Sequence, residues 1–391
     1  MRVSRTDQSR LAQWWFTVDH ALVAAILMLV GIGLVLSLAA SPAVALKKGL
    51  PAFYFVERHV VFSLAAVVVM LLVSLLDTTG VRRLALALFV ISFAGLVAVQ
   101  LTGHEINGAR RWLSIAGHSL QPSEFAKPSF AVLTAWLFAE AQGRRDMPAL
   151  SLAIAIGLAF AALLVVQPDV GQTLLVGLVW GAQFFLSGQP VIAAAALAAL
   201  GAAGLGAAYF VFPHVASRVD RFLVPNVGDN SQVERAIRSF TEGGFFGRGP
   251  GEGTIKTSLP DAHTDFIFAV VAEEYGVIAC LALLAVFAFI TVRAFARGAR
   301  EPELATRLAV QGLALLFGLQ ALINMAVNVG LLPAKGMTLP FISAGGSSMF
   351  AISISLGMLL ALSRRRPHQR RLETPPLVAR VPLDDSMGRT R

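Results

Sequence analysis

The sequence predicts an all-α polytopic membrane protein of about ten transmembrane helices, with a large extracytoplasmic loop between spans seven and eight. Three observations predict it. Of the 391 residues, 56% are hydrophobic and 14% charged, against about 25% charged in soluble domains. The apolar residues fall in runs long enough to cross a bilayer as helices, and none alternates like a barrel strand. Basic residues gather in alternate connections between those runs. The formal charge of +9 therefore belongs to loops and tails. Without interleaved basic and aromatic residues it does not point to nucleic acid.

Taken in order, residues 1–19 (MRVSRTDQSRLAQWWFTVD) are basic and polar and read as a cytoplasmic segment. The run that follows exceeds the ~7–15 residues of a signal-peptide core, so despite SPAVA at 41–45 it reads as an uncleaved first span. Spans are expected at 20–40, 59–76, 81–101, 123–139, 148–166, 171–187, 190–212, 265–292, 305–326 and 342–362, with Pro122, Pro128 and Pro168 interrupting the fourth to sixth. An even count puts both termini on one side. MRVSRTDQSR, GVRR, GRRD, RAFARGAR and SRRRPHQRR all fall on that side, which the positive-inside rule makes cytoplasmic. The opposite side carries loops at about 41–58, 102–122, 213–264 and 327–341. One membrane domain thus covers 20–363, and the Pro- and Arg-rich stretch 364–391 reads as a disordered cytoplasmic tail. The lone cysteine, Cys280, leaves no intrachain disulfide to form.

The informative polar stretches sit at the non-cytoplasmic ends of spans: 107–128, 167–173, 243–265 and 328–348. A transporter site is expected near the midplane. Polar groups at one face point instead to a site open to that face and fed laterally by lipid. LPDAHTDFIFAVVAEEYG (259–276) places Asp261, His263, Asp265, Glu273 and Glu274 around the start of a span, where each ionised group costs about 2.5–3.5 kcal/mol. Asp265 is expected in the first helical turn behind Thr264 as N-cap, a position that the helix dipole favours without any function. Glu273 would lie about 12 Å further along and Glu274 nearly opposite, so at least one should bond a neighbouring helix. GRGPGEG (247–253) reads either as a mobile lid or as a loop whose amides, with Arg248 and Lys256, approach a phosphate. Arg110, Arg111, Lys127 and Lys335 are further cations at this face; singly each suits a lipid headgroup, together a pyrophosphate. Asn324 and Asn328 are spaced for interhelical hydrogen bonds. No metal-ligand spacing is present, since HEIN (104–107) lacks a second histidine.

At NGARRW…QPSEFAK, QPDVGQT, GGFFGRGPGEG, LPDAHTDFIFAVVAEEYG and LLPAKGMTLPFISAGGSS, the chain resembles the SEDS family (shape, elongation, division and sporulation), over about residues 20–363 and in the family's motif order. It resembles the division branch more than the elongation branch. The resemblance implies a ten-helix glycosyltransferase of the bacterial inner membrane, at the division septum. Its substrate would be lipid II, polymerised into peptidoglycan strands with undecaprenyl pyrophosphate leaving. It implies Asp265 as the catalytic carboxylate, and Arg58, Arg111, Glu124, Lys127, Asp169 and Lys335 as substrate-binding residues. Where the family has tyrosine in ISYGGSS, this chain has Ala344. The implied partners are a class B penicillin-binding protein (the septal transpeptidase), other divisome membrane proteins and the bilayer. No cofactor is implied, and a divalent metal requirement is left open. Asp265 would act as general base on the acceptor hydroxyl while the cations stabilise the leaving pyrophosphate. The rival readings are a lipid II flippase and a scaffold that recruits the transpeptidase.

Overall fold

The computed structural model describes residues 9–106, 109–115, 117–143, 146–211, 216, 220, 232–259, 261–333 and 336–364. The expected tail lies, beyond Arg364, outside the described residues. A short helix, α1 (Arg10–Thr17), begins at Ser9, whose hydroxyl accepts from the Ala12 amide. The membrane body runs from Asp19 to Ser363. It contains α2 (His20–Lys47), α3 (Tyr54–Ser74), α4 (Thr78–Thr102), α5 (Pro122–Gly143), α6 (Ala149–Val166), α7 (Val170–Leu186) and α8 (Val191–Val211). After the described break come α9 (Gln232–Gly243), α10 (Ile267–Gly298), α11 (Leu304–Asn328) and α12 (Gly346–Leu362).

Each expected span coincides with one of these helices; α9 is the addition. Seven of them (α2, α3, α4, α6, α8, α10 and α11) are long and apolar enough to cross a membrane. The apolar helices α7 and α12 have 17 residues each, about 25 Å at 1.5 Å per residue, short of the ~30 Å hydrocarbon core. Irregular chain precedes both at the same end of the body. Before α12 it is itself buried, with Met337, Leu339, Phe341 and Ile342 at most 2% exposed. Such backbone is tolerated at membrane depth because protein, not lipid, surrounds it.

The expected loop at 102–122 contains a small antiparallel sheet: β1 (His104–Ile106), β2 (Ala109–Ile115) and β3 (His118–Leu120), in the order β1-β2-β3. Its register pairs Glu105 with Arg110 and Leu113 with Leu120. Its central strand carries Arg111. The all-α class therefore gains a three-stranded platform, packed on α4 and α5.

At the opposite end Asp19 caps α2, accepting from the Ala21 and Leu22 amides. The same carboxylate takes Arg293 at 3.0 Å and Arg297 at 2.6 Å, and Arg297 also donates to the Ser363 carbonyl. Two cations of the basic RAFARGAR stretch thus tie together the ends of α2, α10 and α12. Burial would raise the Asp19 pKa, but the arginines and the helix amide outweigh it and hold the carboxyl below its usual range.

Candidate active site

Asp265 lies in a turn, not in the first turn of a helix. The Asp261 carbonyl accepts from the amides of Thr264 and Phe266, both at 3.1 Å, and α10 starts at Ile267. Thr264 is not its cap: the Thr264 hydroxyl bonds back to the Asp261 carbonyl. Two asparagines on α11 explain the difference. Asn324 and Asn328 each donate to the Asp265 carbonyl at 3.0 Å, and Asn328 Oδ1 accepts the Ala269 amide at 3.1 Å. A side chain from another helix thus satisfies an amide that a local cap would otherwise take.

The buried segment before α12 closes the other side of this turn. Ser343 donates its hydroxyl to the Thr264 carbonyl, and the Ala344 amide donates to the His263 carbonyl at 2.9 Å. Position 344 thus meets the turn through its backbone, whatever its side chain. Asn324 also donates to the Met337 carbonyl at 2.6 Å. Gly336 lies against the carboxylate: a Cβ there would stand 3.5 Å from Asp265 Oδ2.

The Asp265 side chain is half-buried, and among the described residues no side-chain donor or backbone amide bonds its carboxylate. Burial, then the nearby Asp261 charge, push its pKa up to about 7; Arg111 pulls the other way, and Asp169 adds a smaller rise. His263, its ring 4.7 Å from Phe55, is pushed down to about 4 by burial and then by Lys48, with Asp261 pulling the other way, so it is neutral at neutral pH.

The other expected residues divide into three groups. Arg111, Asp169, Glu124 and Lys127 form one connected network. Arg111 donates to the carbonyls of Gln167 (3.3 Å) and Pro168 (2.6 Å) and faces Asp169 at 3.6 Å. Asp169 caps α7 through the Gln172 amide, and its pKa is raised, burial outweighing Arg111. Glu124 accepts from Lys127 (3.0 Å) and from Gln172 (2.8 Å). Lys127, 2% exposed, also donates to Gln320 at 3.0 Å. Gln320 in turn donates to the Thr338 carbonyl, which joins this network to the segment flanking Asp265. Arg58 stands apart and exposed. It bonds the Tyr54 hydroxyl at 3.2 Å and lies 5.4 Å from the Phe62 ring. Lys335 lies outside the described residues. Sequence reasoning missed Gln172 and Gln320. The signal was present: Gln320, Asn324 and Asn328 recur every four residues along an apolar helix, which puts all three on one face.

Glu273 and Glu274 depart from expectation. Among the described residues neither bonds another α-helix; both hold the glycine loop and the short 3-10 helix (Ile255–Ser258) that follows it. Glu273 Oε1 accepts the amides of Thr254 (2.6 Å) and Ile255 (2.7 Å), and Oε2 that of Lys256 (3.0 Å). Glu274 accepts the Gly251 amide and the Lys256 ammonium. The Arg248 and Gly249 amides donate to the carbonyls of Glu273 and Glu274. Those carbonyls are free because Gly276, at φ 80° and ψ 177°, breaks α10 just beyond. The amides after the break, Val277 and Ile278, donate to Gly244 and Phe245. The loop is therefore pinned: the Gly251 amide is taken by the Glu274 carboxylate, and those of Gly247, Arg248, Gly249 and Glu252 by backbone carbonyls.

The fold and the site define a class: a polytopic helical membrane protein whose polar groups converge at one end around a carboxylate without a hydrogen-bond partner among the described residues. The chain belongs to the family of cell cycle proteins that groups FtsW, RodA and SpoVE, whose model matches residues 20–368. It is 46% identical over 365 residues to a probable peptidoglycan glycosyltransferase FtsW of Caulobacter vibrioides, covering 93% of this chain and 94% of that one. It is 37% identical over 391 residues to the Halomonas elongata protein of the same name, covering 94% and 96%. Among solved structures it resembles a chain from a study of how a peptidoglycan synthase complex coordinates polymerisation and crosslinking (TM-score 0.74, 29% identity, 89% of this chain and 98% of that one). It also resembles the rod shape determining protein RodA of Thermus thermophilus (TM-score 0.65, 27% identity, 89% and 97%).

Proposed function

We propose that the protein is a peptidoglycan glycosyltransferase that polymerises lipid II at the septum, with Asp265 as general base. The observation that carries this reading is the state of that carboxylate. It is held by its backbone, unbonded at its oxygens among the described residues, under the lowering influence of Arg111, and raised to about 7. A base whose pKa matches the working pH removes protons most effectively. In the reaction the acceptor 4-hydroxyl oxygen attacks the anomeric carbon of the lipid-linked sugar, and the anomeric carbon–oxygen bond to the pyrophosphate breaks. The hydroxyl proton passes to Asp265, and undecaprenyl pyrophosphate leaves with the bonding electrons. Displacement inverts the anomeric centre to a β-1,4 link. Arg111, with Lys335 and Arg58, supplies positive charge for the leaving group. Lys127, Glu124 and Asp169 support it from behind, fixing Arg111 and the segment through Gln320.

The relatives' names support this chemistry, and the structural similarity to a chain of a peptidoglycan synthase complex supports a transpeptidase partner. The basic clusters support a ten-span topology with both termini in the cytoplasm and the Asp265 end outside. The test is lipid II consumption by purified protein in detergent, with and without the transpeptidase. Wild type should build glycan strands with no second compartment, which a flippase or a scaffold would not do. Asp265→Asn should insert normally and build none. An Asp265→Asn protein as fast as wild type would overturn the assignment.

A further inference from the structure

We propose that Phe245 and Phe246 form a lipid anchor, a non-spanning tip that enters the acyl region of the leaflet at the Asp265 end. Both rings are bare, 73% and 83% exposed, yet their backbone is among the more firmly held in the loop. Gly247 donates to the Gly243 carbonyl at 2.8 Å, and the carbonyls of Gly244 and Phe245 accept the Val277 and Ile278 amides. Two phenylalanines fixed outward at such exposure need an apolar environment.

The level of the tip in the membrane follows from α10. From Ile267 to Glu274 every residue is buried in protein. Beyond Gly276 burial recurs only at Cys280, Leu283, Phe287, Ile290 and Ala294, with Gly298 at the end. Between them Ile278, Leu281 and Val292 are 50%, 58% and 65% exposed. The lipid-facing length is therefore Val277–Val292, bounded at the far end by Arg293; at 1.5 Å per residue it is about 24 Å, which lies within the ~30 Å hydrocarbon core. Phe245 is hydrogen-bonded to the second residue of that stretch, so the rings sit where the stripe first meets lipid. A second mark agrees. Ile237 on α9 lies against Gly330, where a Cβ would come within 2.7 Å of Ile237 Cδ1. Gly330 follows the end of α11 and precedes Leu331, 71% exposed. The segment from α9 to Phe246 thus bridges the same ends of two spans. Its apolar tip continues a surface that already faces acyl chains, which makes lipid its occupant.

The test is full-length protein in phospholipid nanodiscs, Cys280→Ser, with an environment-sensitive fluorophore on Phe246→Cys. Leu281→Cys serves as the lipid reference and the exposed Glu252→Cys as the water reference. The expected result at 246 is blue-shifted emission, quenching by lipids spin-labelled high on the acyl chain to the extent seen at 281, and little quenching by aqueous iodide. Iodide quenching like that at 252 would overturn the proposal. So would blue-shifted emission that spin-labelled lipid leaves intact, because protein and not lipid would then cover the tip. Position 246 points outward, so the label tests placement without disturbing the fold.

Discussion

Asp265 and Glu273 lie eight positions apart in one segment, yet their carboxylates have opposite circumstances. Glu273 is wholly buried, and three backbone amides use its two oxygens. Asp265 is half-buried and fixed through its carbonyl, with no hydrogen bond to its carboxylate among the described residues. A carboxylate whose oxygens accept several amides is bound to its place. One that is crowded but unbonded is raised in pKa and has spare acceptor capacity. On the proposed reading the difference separates a structural acid from a chemical one, and it comes from which backbone each can reach rather than from residue type.

Amide isosteres break this comparison most directly. Asp265→Asn should lower lipid II polymerisation by about 10²–10⁴-fold, the range for loss of a general base, with thermal stability in detergent unchanged or raised. A parallel loss of stability would make Asp265 structural and collapse the distinction. The next effect concerns the break that frees the carbonyls beside Glu273. A Cβ on Gly276 would come 2.3 Å from the Phe245 carbonyl oxygen, in a backbone region open essentially to glycine alone. Gly276→Ala should destabilise by about 3 kcal/mol, strain and clash together, read as a lower Tm and faster proteolysis in the 244–256 loop. Glu273→Gln follows. Its new NH2 group would face an amide donor, a cost of about 2 kcal/mol. Here Tm should fall while activity per folded molecule changes far less than in Asp265→Asn.

The helices were legible because a bilayer enforces them. Every span needs about 20 apolar residues, and runs such as 81–101 and 305–326 satisfy that within a few positions of α4 and α11. Asp265 was legible as a polar position at the head of a span, but its setting was not. Thr264 is a good cap by type, and nothing local says that Asn328, 64 positions away in the chain, supplies the cap instead. The partners of Glu273 were hidden for a related reason: they are backbone amides, which every residue carries, brought close by a break at one glycine. The small sheet was missed because β1 and β3 have three residues each, too few to show alternation. For Glu124 and Lys127, which the resemblance implied as substrate-binding, the spacing of three on α5 lets them pair with each other out of solvent.

The smallest predicted effect sharpens what raises Asp265. Burial comes first and the Asp261 charge second. Asp261 Oδ2 accepts from Gln232 Nε2 at 3.2 Å, and its carbonyl, not its side chain, holds the turn. Asp261→Asn therefore removes a charge, keeps an acceptor for Gln232 and leaves the turn in place. The sign follows from the ionised form being the base. In wild type, activity should fall as pH drops through about 7, where Asp265 takes up its proton. With the like charge gone, ionisation is easier, and the acid limb should move to lower pH while the plateau at higher pH keeps its height. The measurement is the pH dependence of polymerisation rate for the two proteins side by side. A limb that moves upward, or a plateau that drops with the limb fixed, would mean that Asp261 acts on the turn rather than on the carboxylate. Asp265 would then owe its raised pKa to burial, with no share from its neighbour.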